Sequence, residues 1–190
     1  IGLGLAREGC NVAVHYGESA VDAEQTAHDI SQLGVRAWIV QGDLSDPANA
    51  ADVLERAMGV AGPLELLVNS ASVFPESTFA DFAPDEVHAN INLHALSPAL
   101  LARALHAKGG EGAIVNMIDC MIADYDKKHL AYHLSKRMLH TLTRIMAVEL
   151  ADDAIALPRL DPAVDRTVLL LGHEHRGVPD EAWPLLDNVI

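Results

Sequence analysis

An apolar, strand-like run ends at Asp119 in Ile114-Val-Asn-Met-Ile-Asp-Cys120, and Tyr132-His-Leu-Ser-Lys136 follows thirteen residues after that aspartate. A tyrosine and a lysine four positions apart project from the same face of a helix. There the lysine ammonium is expected to lower the pKa of the phenol from about 10 towards neutrality. The pattern predicts that Tyr132 is a proton donor on a helix that follows a buried strand. The alternative is a solvated pair of side chains on an exposed helix face.

The composition is that of one acidic domain with a proper core. Half of the 190 residues are hydrophobic, and the formal net charge is −14. Such a charge argues against nucleic acids and anionic membranes as partners. No apolar run approaches the roughly 18 residues of a spanning helix, and no secretory signal is recognised, so a cytoplasmic location is expected. The two cysteines, Cys10 and Cys120, match no metal-ligand spacing, and no metal site is expected.

Strand-like and helix-like segments alternate along the chain, which predicts a parallel sheet covered by helices on both faces. Asp46 followed by Pro47 is a typical helix start. The predicted strands are 11–16, 36–41, 64–69 and 112–117, and the predicted helices are 20–33, 47–60, 84–108 and 130–150.

The first nine residues contain several glycines but do not have the spacing of a phosphate-binding loop. Only six residues separate Gly2 from Gly9, too few for the helix of about three turns that follows such a loop. The segment is predicted to be the second half of a helix that Gly9 terminates. The preceding strand and glycine loop would then lie upstream of Ile1, leaving the central sheet position between strands 11–16 and 64–69 empty. An empty central position exposes two strand edges, so additional N-terminal sequence is expected in the native protein.

Several segments together resemble the short-chain dehydrogenase/reductase family, and within it the pteridine reductases and bacterial dihydromonapterin reductases. Asp119 stands where most members carry a serine, and this substitution marks the pteridine-reducing branch. The resemblance spans about 1–150 and implies a Rossmann-like, doubly wound, three-layer α/β/α fold with the first strand and glycine loop missing. The segments that carry it, besides the tyrosine–lysine pair, are Gly42-Asp-Leu-Ser45, Asn69-Ser-Ala-Ser-Val-Phe-Pro75, His94-Ala-Leu-Ser-Pro98 and Asp126-Lys-Lys-His-Leu-Ala-Tyr132.

The resemblance implies that Tyr132 and Asp119 together deliver a proton to the substrate. Lys136 would hold the hydroxyls of the nicotinamide ribose and assist the tyrosine. Phe74 matches an aromatic residue that stacks on a pterin opposite the nicotinamide, and Ser72 lies beside it in the substrate set. The same residues in another context would be a core phenylalanine and ordinary turn formers.

His94 stands where most members carry a structural asparagine that anchors a proton-relay water. Dihydromonapterin reductases resemble this chain in having histidine there, which implies a relay or cofactor-supporting role. A packed helical histidine is the alternative, and Asn90 or Asn92, one turn earlier, would then take the role.

The resemblance implies a nicotinamide cofactor, and NADPH is expected rather than NADH. NAD-specific members place an acidic residue at the end of the second strand, whereas His15 and Tyr16 stand there in this chain. Ser19 is placed to accept a phosphate at the start of a helix, although Glu18 opposes it. Asp43 matches the carboxylate that bonds the adenine amino group. The full predicted cofactor set is His15, Tyr16, Ser19, Asp43, Leu44, Asn69, Ser70, Ala71, Met117, Tyr132 and Lys136.

The pattern changes after Leu150, so the chain is divided into an incomplete NADP-binding domain over 1–150 and a segment of uncertain assignment over 151–190. Residues 151–160 are interpreted as a remnant of the strand and Pro-Gly turn that close over the nicotinamide. The stretch 167–179 resembles one motif of SpoU-type RNA ribose methyltransferases, or is a late strand of the reductase sheet. The other two methyltransferase motifs are not found, and methyl transfer is not expected.

The sequence therefore predicts NADPH-dependent reduction of a pterin C=N bond, from dihydromonapterin or dihydrofolate to the tetrahydro form. A carbonyl reductase acting on 3-oxoacyl substrates is the first alternative, and a degenerate, non-catalytic member of the family is the second. By resemblance, the helices at 84–108 and 130–150 would join the chains into a homodimer or homotetramer.

Overall fold

The computed structural model describes residues 1–109, 112–120, 124, 126–151 and 167–171. Strands and helices alternate as predicted, with element boundaries that differ by a few residues. The strands are β1 (Asn11–Tyr16), β2 (Ala37–Gln41), β3 (Leu66–Asn69), β4 (Ala113–Asn116) and β5 (Thr167–Leu171). The helices are α1 (Gly2–Arg7), α2 (Ala20–Ser31), α3 (Ala50–Ala61), α4 (Pro84–Ile91), α5 (Ser97–Ala107) and α6 (Leu130–Ala151).

The five strands form one parallel sheet in the order β2-β1-β5-β3-β4. Successive side chains of a strand point to opposite faces, and β1 follows that rule. Val12 and Val14 pack with α1 and α2 on one face, whereas Ala13 packs with α3 and α5 on the other. The predicted Rossmann-like α/β fold, with helices on both faces of a parallel sheet, is confirmed.

The central position of the sheet, which we expected to be empty, is occupied by β5. Leu169 of β5 is in register with Ala13 of β1 on one side and with Leu67 of β3 on the other. The expectation of an unfilled centre is therefore corrected, whereas the interpretation of this stretch as a further strand of the same sheet is confirmed. A gap between two strands with unpaired edges can be filled by any segment that supplies matching backbone donors and acceptors, wherever that segment lies along the chain.

Two helix boundaries show how local sequence determines the ends of elements. Gly9 has φ of 84°, a conformation that costs a residue with a Cβ atom, and its amide bonds the Ala6 carbonyl as α1 ends. Asp46 accepts a hydrogen bond from the Ala48 amide at 3.0 Å, as expected of a cap, but the turn that it starts (Pro47–Asn49) is 3₁₀-helical. The helix predicted over 84–108 is interrupted by a π-helical segment at Asn92–Leu96.

Candidate active site

Tyr132 and Asp119 are brought together at the carboxyl end of the sheet. Tyr132 lies in the first turn of α6 with 8 % of its surface exposed, and Asp119 follows β4 by three residues. The Tyr132 hydroxyl donates a hydrogen bond to Asp119 Oδ2 at 2.8 Å. The structure thus gives the phenol a carboxylate acceptor where most members of the resembled family have a serine.

Lys136 lies one helical turn after Tyr132, but it does not contact the phenol oxygen. Its Nζ donates to the Met117 carbonyl at 2.7 Å and lies 5.6 Å from the centroid of the Tyr132 ring. Burial lowers the pKa of the Lys136 ammonium to about 8, and the Asp119 charge opposes that shift. A lysine so placed loses its charge within the range of pH in which enzymes are usually assayed.

The pKa of Tyr132 moves in the opposite direction from the sequence-based expectation. Burial raises it above its ordinary value of 10, and so does the hydrogen bond to Asp119. Both effects oppose the phenolate, because a negative charge at this position would be desolvated and would face a carboxylate. Tyr132 therefore keeps its proton at all working pH values, which is the state that a proton donor needs.

His94 is buried, with 1 % of its surface exposed, and its ring meets the Tyr132 ring edge-on at 5.4 Å between centroids. Its Nδ1 lies 2.7 Å from Ser135 Oγ on α6. On the other side of the ring, Nε2 accepts from the Val73 amide at 3.0 Å and lies 3.1 Å from Ser72 Oγ. Both ring nitrogens therefore contact protein groups.

Phe74 extends from the loop after β3 and borders the same site. Its ring is stacked on His129 at 3.7 Å and meets the edge of Tyr132 at 4.6 Å, while 54 % of its surface is exposed. His129 in turn hydrogen-bonds Asp126, and that bond lowers the pKa of the Asp126 carboxyl. The aromatic residue expected in the substrate set thus lies beside the phenol.

Polar groups at the ends of β3 and β4 connect the sheet to α6. Asn69 donates from Nδ2 to Asn116 Oδ1 at 2.7 Å, and Asn116 donates to Thr143 Oγ1 at 2.9 Å. The Met117 amide donates to the Asn69 carbonyl at 3.0 Å. These bonds position the Met117 carbonyl that Lys136 uses. A cavity of about 10 Å³, the size of one water molecule, is bordered by Asn69, His94 and Lys136.

The residues expected at the adenosine end lie at the carboxyl ends of β1 and β2. His15 is buried and its Nε2 lies 2.8 Å from the Gly42 carbonyl, so it links the carboxyl ends of the two strands. Ser19 precedes α2 without using its side chain as a cap. Asp43 is exposed and accepts from the Ser45 amide and hydroxyl, whereas Leu44 is a core residue.

The short chain dehydrogenase family model matches residues 1–171. The chain belongs to this family. Among its relatives, L-xylulose reductase from Bos taurus is 30 % identical over 99 % of this chain and 78 % of its own length. L-Rhamnose 1-dehydrogenase (NAD(P)(+)) from Sphingomonas sp. (strain SKA58) is 28 % identical over 96 % of this chain and 75 % of its own length. These relatives are oxidoreductases.

Two solved structures of similar fold bear on the function. FolM alternative dihydrofolate reductase 1 from Brucella suis, in complex with NADP, superposes with a TM-score of 0.68 at 26 % identity. That comparison covers 76 % of this chain and 71 % of the other. Acetoin dehydrogenase YohF from Salmonella typhimurium superposes with a TM-score of 0.73 at 27 % identity, over 80 % of this chain and 61 % of the other.

The residues present fit the dinucleotide that the short-chain dehydrogenase fold implies. Open α/β sheets bind ligands at the carboxyl ends of their strands, where the strand order reverses. In this chain the reversal lies around β5, between β1 and β3. Small, half-buried residues, Ser70 and Ala71, follow β3 and leave room for a ligand against the strand end. Residues 152–160, part of the stretch interpreted as a remnant of the strand and Pro-Gly turn, and the residues after Leu171 lie outside the described residues.

Sequence reasoning missed part of the site of this short-chain dehydrogenase. Ser135 bonds His94, and Ser77 pairs with His129 in an isolated β-bridge. Ser135 stands inside the tyrosine–lysine motif, three positions after Tyr132, and that position was the available signal. Ser77 had no signal, because its partners lie more than fifty residues further along the chain.

Within the described ranges, no group of three or more histidine, cysteine or acidic side chains could hold a metal ion. No helix in those ranges is long and apolar enough to cross a membrane.

Proposed function

We propose that this short-chain dehydrogenase reduces the C=N bond of a pterin with NADPH, converting dihydromonapterin or dihydrofolate to the tetrahydro form. The observation that carries the proposal is the hydrogen bond from the Tyr132 hydroxyl to Asp119. The structural similarity to FolM alternative dihydrofolate reductase 1 supports the same reading. A carboxylate is a suitable acceptor for the amino and ring N–H groups of a pterin, which a ketone substrate lacks.

NADPH would supply the hydride when bound, and the residues of the chain would orient the substrate and manage the proton. Tyr132, which keeps its proton, donates towards the ring nitrogen directly or through water. Asp119 orients the phenol and accepts from the pterin. Phe74 gives the flat ring an aromatic neighbour beside Tyr132. Lys136 lies near Tyr132 on the same helix, where its Nζ can exchange the Met117 carbonyl for ribose hydroxyls.

At the other end of the site, Ser19 and Tyr16 are proposed to receive the 2′-phosphate that distinguishes NADPH from NADH. Both residues are half-buried, and the Ser19 side chain is not used as a helix cap. Asp43 is proposed to accept from the adenine amino group, since its side chain is exposed beside the end of β2. His15 supports this end through Gly42.

A carbonyl reductase is the second candidate, and the 30 % identity to L-xylulose reductase favours it. The tyrosine and lysine serve both reactions equally well. Asp119 distinguishes them, because a serine hydroxyl can donate to a ketone oxygen whereas a carboxylate can only accept.

A homo-oligomer formed through α4, α5 and α6 is proposed as well. Leu134 and Val148 are exposed apolar residues on α6.

The test is the oxidation of NADPH with dihydromonapterin, dihydrofolate and an acetoacetyl thioester as separate substrates, for the wild type and Tyr132→Phe. We expect turnover of a pterin, and a loss of about 100-fold or more in the variant because the proton donor is gone. Unfolding temperatures of both proteins serve as the folding control. Turnover of the thioester alone would assign the chain to the carbonyl reductases. Absence of both turnover and NADPH binding would mean a non-catalytic member.

A further inference from the structure

His94 lies in the π-helical segment Asn92–Leu96, which interrupts an otherwise α-helical stretch. A π-helical turn inserts an extra residue into a helix, is rarely used, and often marks a functional position. Its effect here is to direct a buried imidazole between the loop after β3 and the first turns of α6. These two segments carry Phe74 and Tyr132.

The hydrogen bonds of His94 determine its tautomer. The Val73 amide can only donate, so Nε2, at 3.0 Å, must present a lone pair. The proton of the neutral ring is then on Nδ1, which donates to Ser135 Oγ at 2.7 Å. The Ser135 hydroxyl in turn donates a hydrogen bond to the Tyr132 backbone carbonyl at 2.7 Å. This chain of donors and acceptors is complete only when His94 is neutral with the proton on Nδ1.

The loop after β3 is attached to α6 at a second place. Ser77 donates its amide to the Lys128 carbonyl at 2.6 Å, and its own carbonyl accepts from the Leu130 amide at 2.9 Å. Its hydroxyl accepts from the Ala131 amide at 3.1 Å. The loop is therefore bound to the rest of the site at Val73 through His94 and at Ser77 directly. Phe74 lies between the two attachments.

We propose that His94 is a positioning residue, a neutral latch that joins the loop carrying Phe74 to the helix carrying Tyr132 and thereby determines how substrate is bound. The proposal deepens the proposed pterin reductase function and rests on it for its kinetic test. Because both nitrogens of His94 are engaged in fixing structure, proton transfer through its ring would break the contacts that form the site. This proposed role differs from the relay or cofactor-supporting role that the resemblance implies.

The test compares two substitutions that each preserve one side of the latch. In His94→Asn the amide nitrogen occupies the region of Nδ1 and keeps the Ser135 contact, but the side chain is too short to reach Val73. In His94→Gln the side-chain oxygen occupies the region of Nε2 and keeps the Val73 contact. His88→Gln is the matched control, since His88 is an exposed histidine on α4.

The first readout is independent of activity: amide hydrogen exchange of Val73 and the nitrogen chemical shifts of the His94 ring. We expect the Nδ1–H tautomer in the wild type, and about tenfold faster exchange of the Val73 amide in His94→Asn. His94→Gln should restore most of the protection, and His88→Gln should resemble the wild type. An Nε2–H tautomer, or unchanged exchange in His94→Asn, would overturn the latch. If His94→Asn fails to fold, Ser135→Ala provides the same exchange test from the helix side.

The second readout is kinetic and separates positioning from proton transfer. His94→Asn should raise the KM for the pterin about tenfold while kcat changes less than about threefold, because ground-state binding is affected. A fall in kcat at constant KM would instead indicate a relay and would overturn the proposal. Absence of pterin turnover in the wild type would refute the proposed function alone, because the exchange and tautomer measurements still decide whether the latch exists.

Discussion

Individual side chains of the site derive their properties from burial more than from the tyrosine–lysine spacing. The spacing predicts an ammonium beside a phenol, yet Lys136 Nζ bonds a backbone carbonyl and Tyr132 bonds a carboxylate. The two pKa shifts therefore follow the desolvation of each group, with the lysine lowered and the tyrosine raised. Asp119 distinguishes this site from those of family members with serine at this position, because its carboxylate accepts the hydrogen bond from Tyr132.

Replacing Asp119 with serine should change the preferred substrate. The Asp119→Ser variant loses the acceptor for pterin N–H groups and gains a hydroxyl that donates to a ketone. We expect kcat/KM for the pterin to fall about tenfold or more relative to kcat/KM for the acetoacetyl thioester, measured by NADPH oxidation. Asp85→Ser, in the exposed first turn of α4, is the matched control. An equal fall in kcat/KM for both substrates would mean that Asp119 acts only by orienting Tyr132 and does not select the substrate.

The buried ammonium of Lys136 predicts a dependence of stability on pH. Its pKa is about 8 in the folded chain, against the ordinary 10.5. Between these values the unfolded chain holds a proton that the folded chain does not, so this group makes stability rise with pH. Lys136→Met should therefore unfold at a higher temperature than the wild type at pH 7, by a margin that shrinks towards pH 10.

The corresponding control is Lys127→Met, at an exposed lysine just before α6. It should show no margin that varies with pH. A constant margin for Lys136→Met across the same range would mean that the folded lysine keeps its ordinary pKa. Both variants are measured without cofactor, because a bound ribose would add a partner for Lys136.

Among the secondary structure elements, β5 has the position that its sequence did not indicate. It lies between β1 and β3, which come more than ninety residues before it in the chain. Its apolar composition is that of a strand buried on both faces, and this much was predictable. Its neighbours depend on which edges the other strands leave open, and that is a property of the assembled sheet.

Proline at Leu169 should disrupt the centre of the sheet. Every backbone amide of a central strand bonds one of two neighbours, so Leu169→Pro removes a ladder bond and leaves a buried carbonyl without its donor. We expect a loss of about 2–3 kcal/mol in the free energy of unfolding, measured by urea denaturation.

Ile39→Pro is the matched control for that measurement. Ile39 lies in β2, the edge strand of the described sheet, and pairs with β1 only. The Gly42 amide bonds the Tyr16 carbonyl and the Val12 amide bonds the Arg36 carbonyl, and the alternation of a parallel ladder then directs the Ile39 amide away from β1. Ile39→Pro should cost clearly less than Leu169→Pro. Equal losses would argue that β5 is not part of the sheet in solution.

Considered as one molecule, the chain gathers its functional groups at a single end of the sheet. The carboxyl ends of β1, β2, β3 and β4 carry predicted cofactor residues, and the first two turns of α6 carry Tyr132 and Lys136. Parallel strands make this convergence possible because all their carboxyl ends face the same direction.

Binding of NADPH should therefore stabilise the whole molecule. At a concentration about 100 times its Kd, a ligand that binds only the folded state adds about 2.7 kcal/mol. For a chain of this size that amounts to a rise of roughly 5–10 °C in Tm. NADH at the same concentration should give a smaller rise, because Ser19 and Tyr16 are proposed to receive the 2′-phosphate. An equal rise with NADH would remove that assignment.

Local chemistry in the sequence accounted for most of the elements and for the identity of the central side chains. Apolar strands, the Asp46 cap and the end of α1 at Gly9 depend on neighbouring residues, and the structure reproduces them. The spacing of Tyr132 and Lys136 is likewise local, since a helix places positions four apart on one face. These features follow from periodicity and backbone geometry, which depend only on residues close together in the sequence.

Only the tertiary structure decided the features that join distant parts of the chain. The place of β5, the donation from Tyr132 to Asp119, and the two-sided contact of His94 with Val73 and Ser135 all involve separate elements. The direction of each pKa shift was decided in the same way, because desolvation depends on everything packed around a group. Sequence spacing specifies which side chains can meet along one helix, whereas burial and pairing between elements are set only when the sheet assembles.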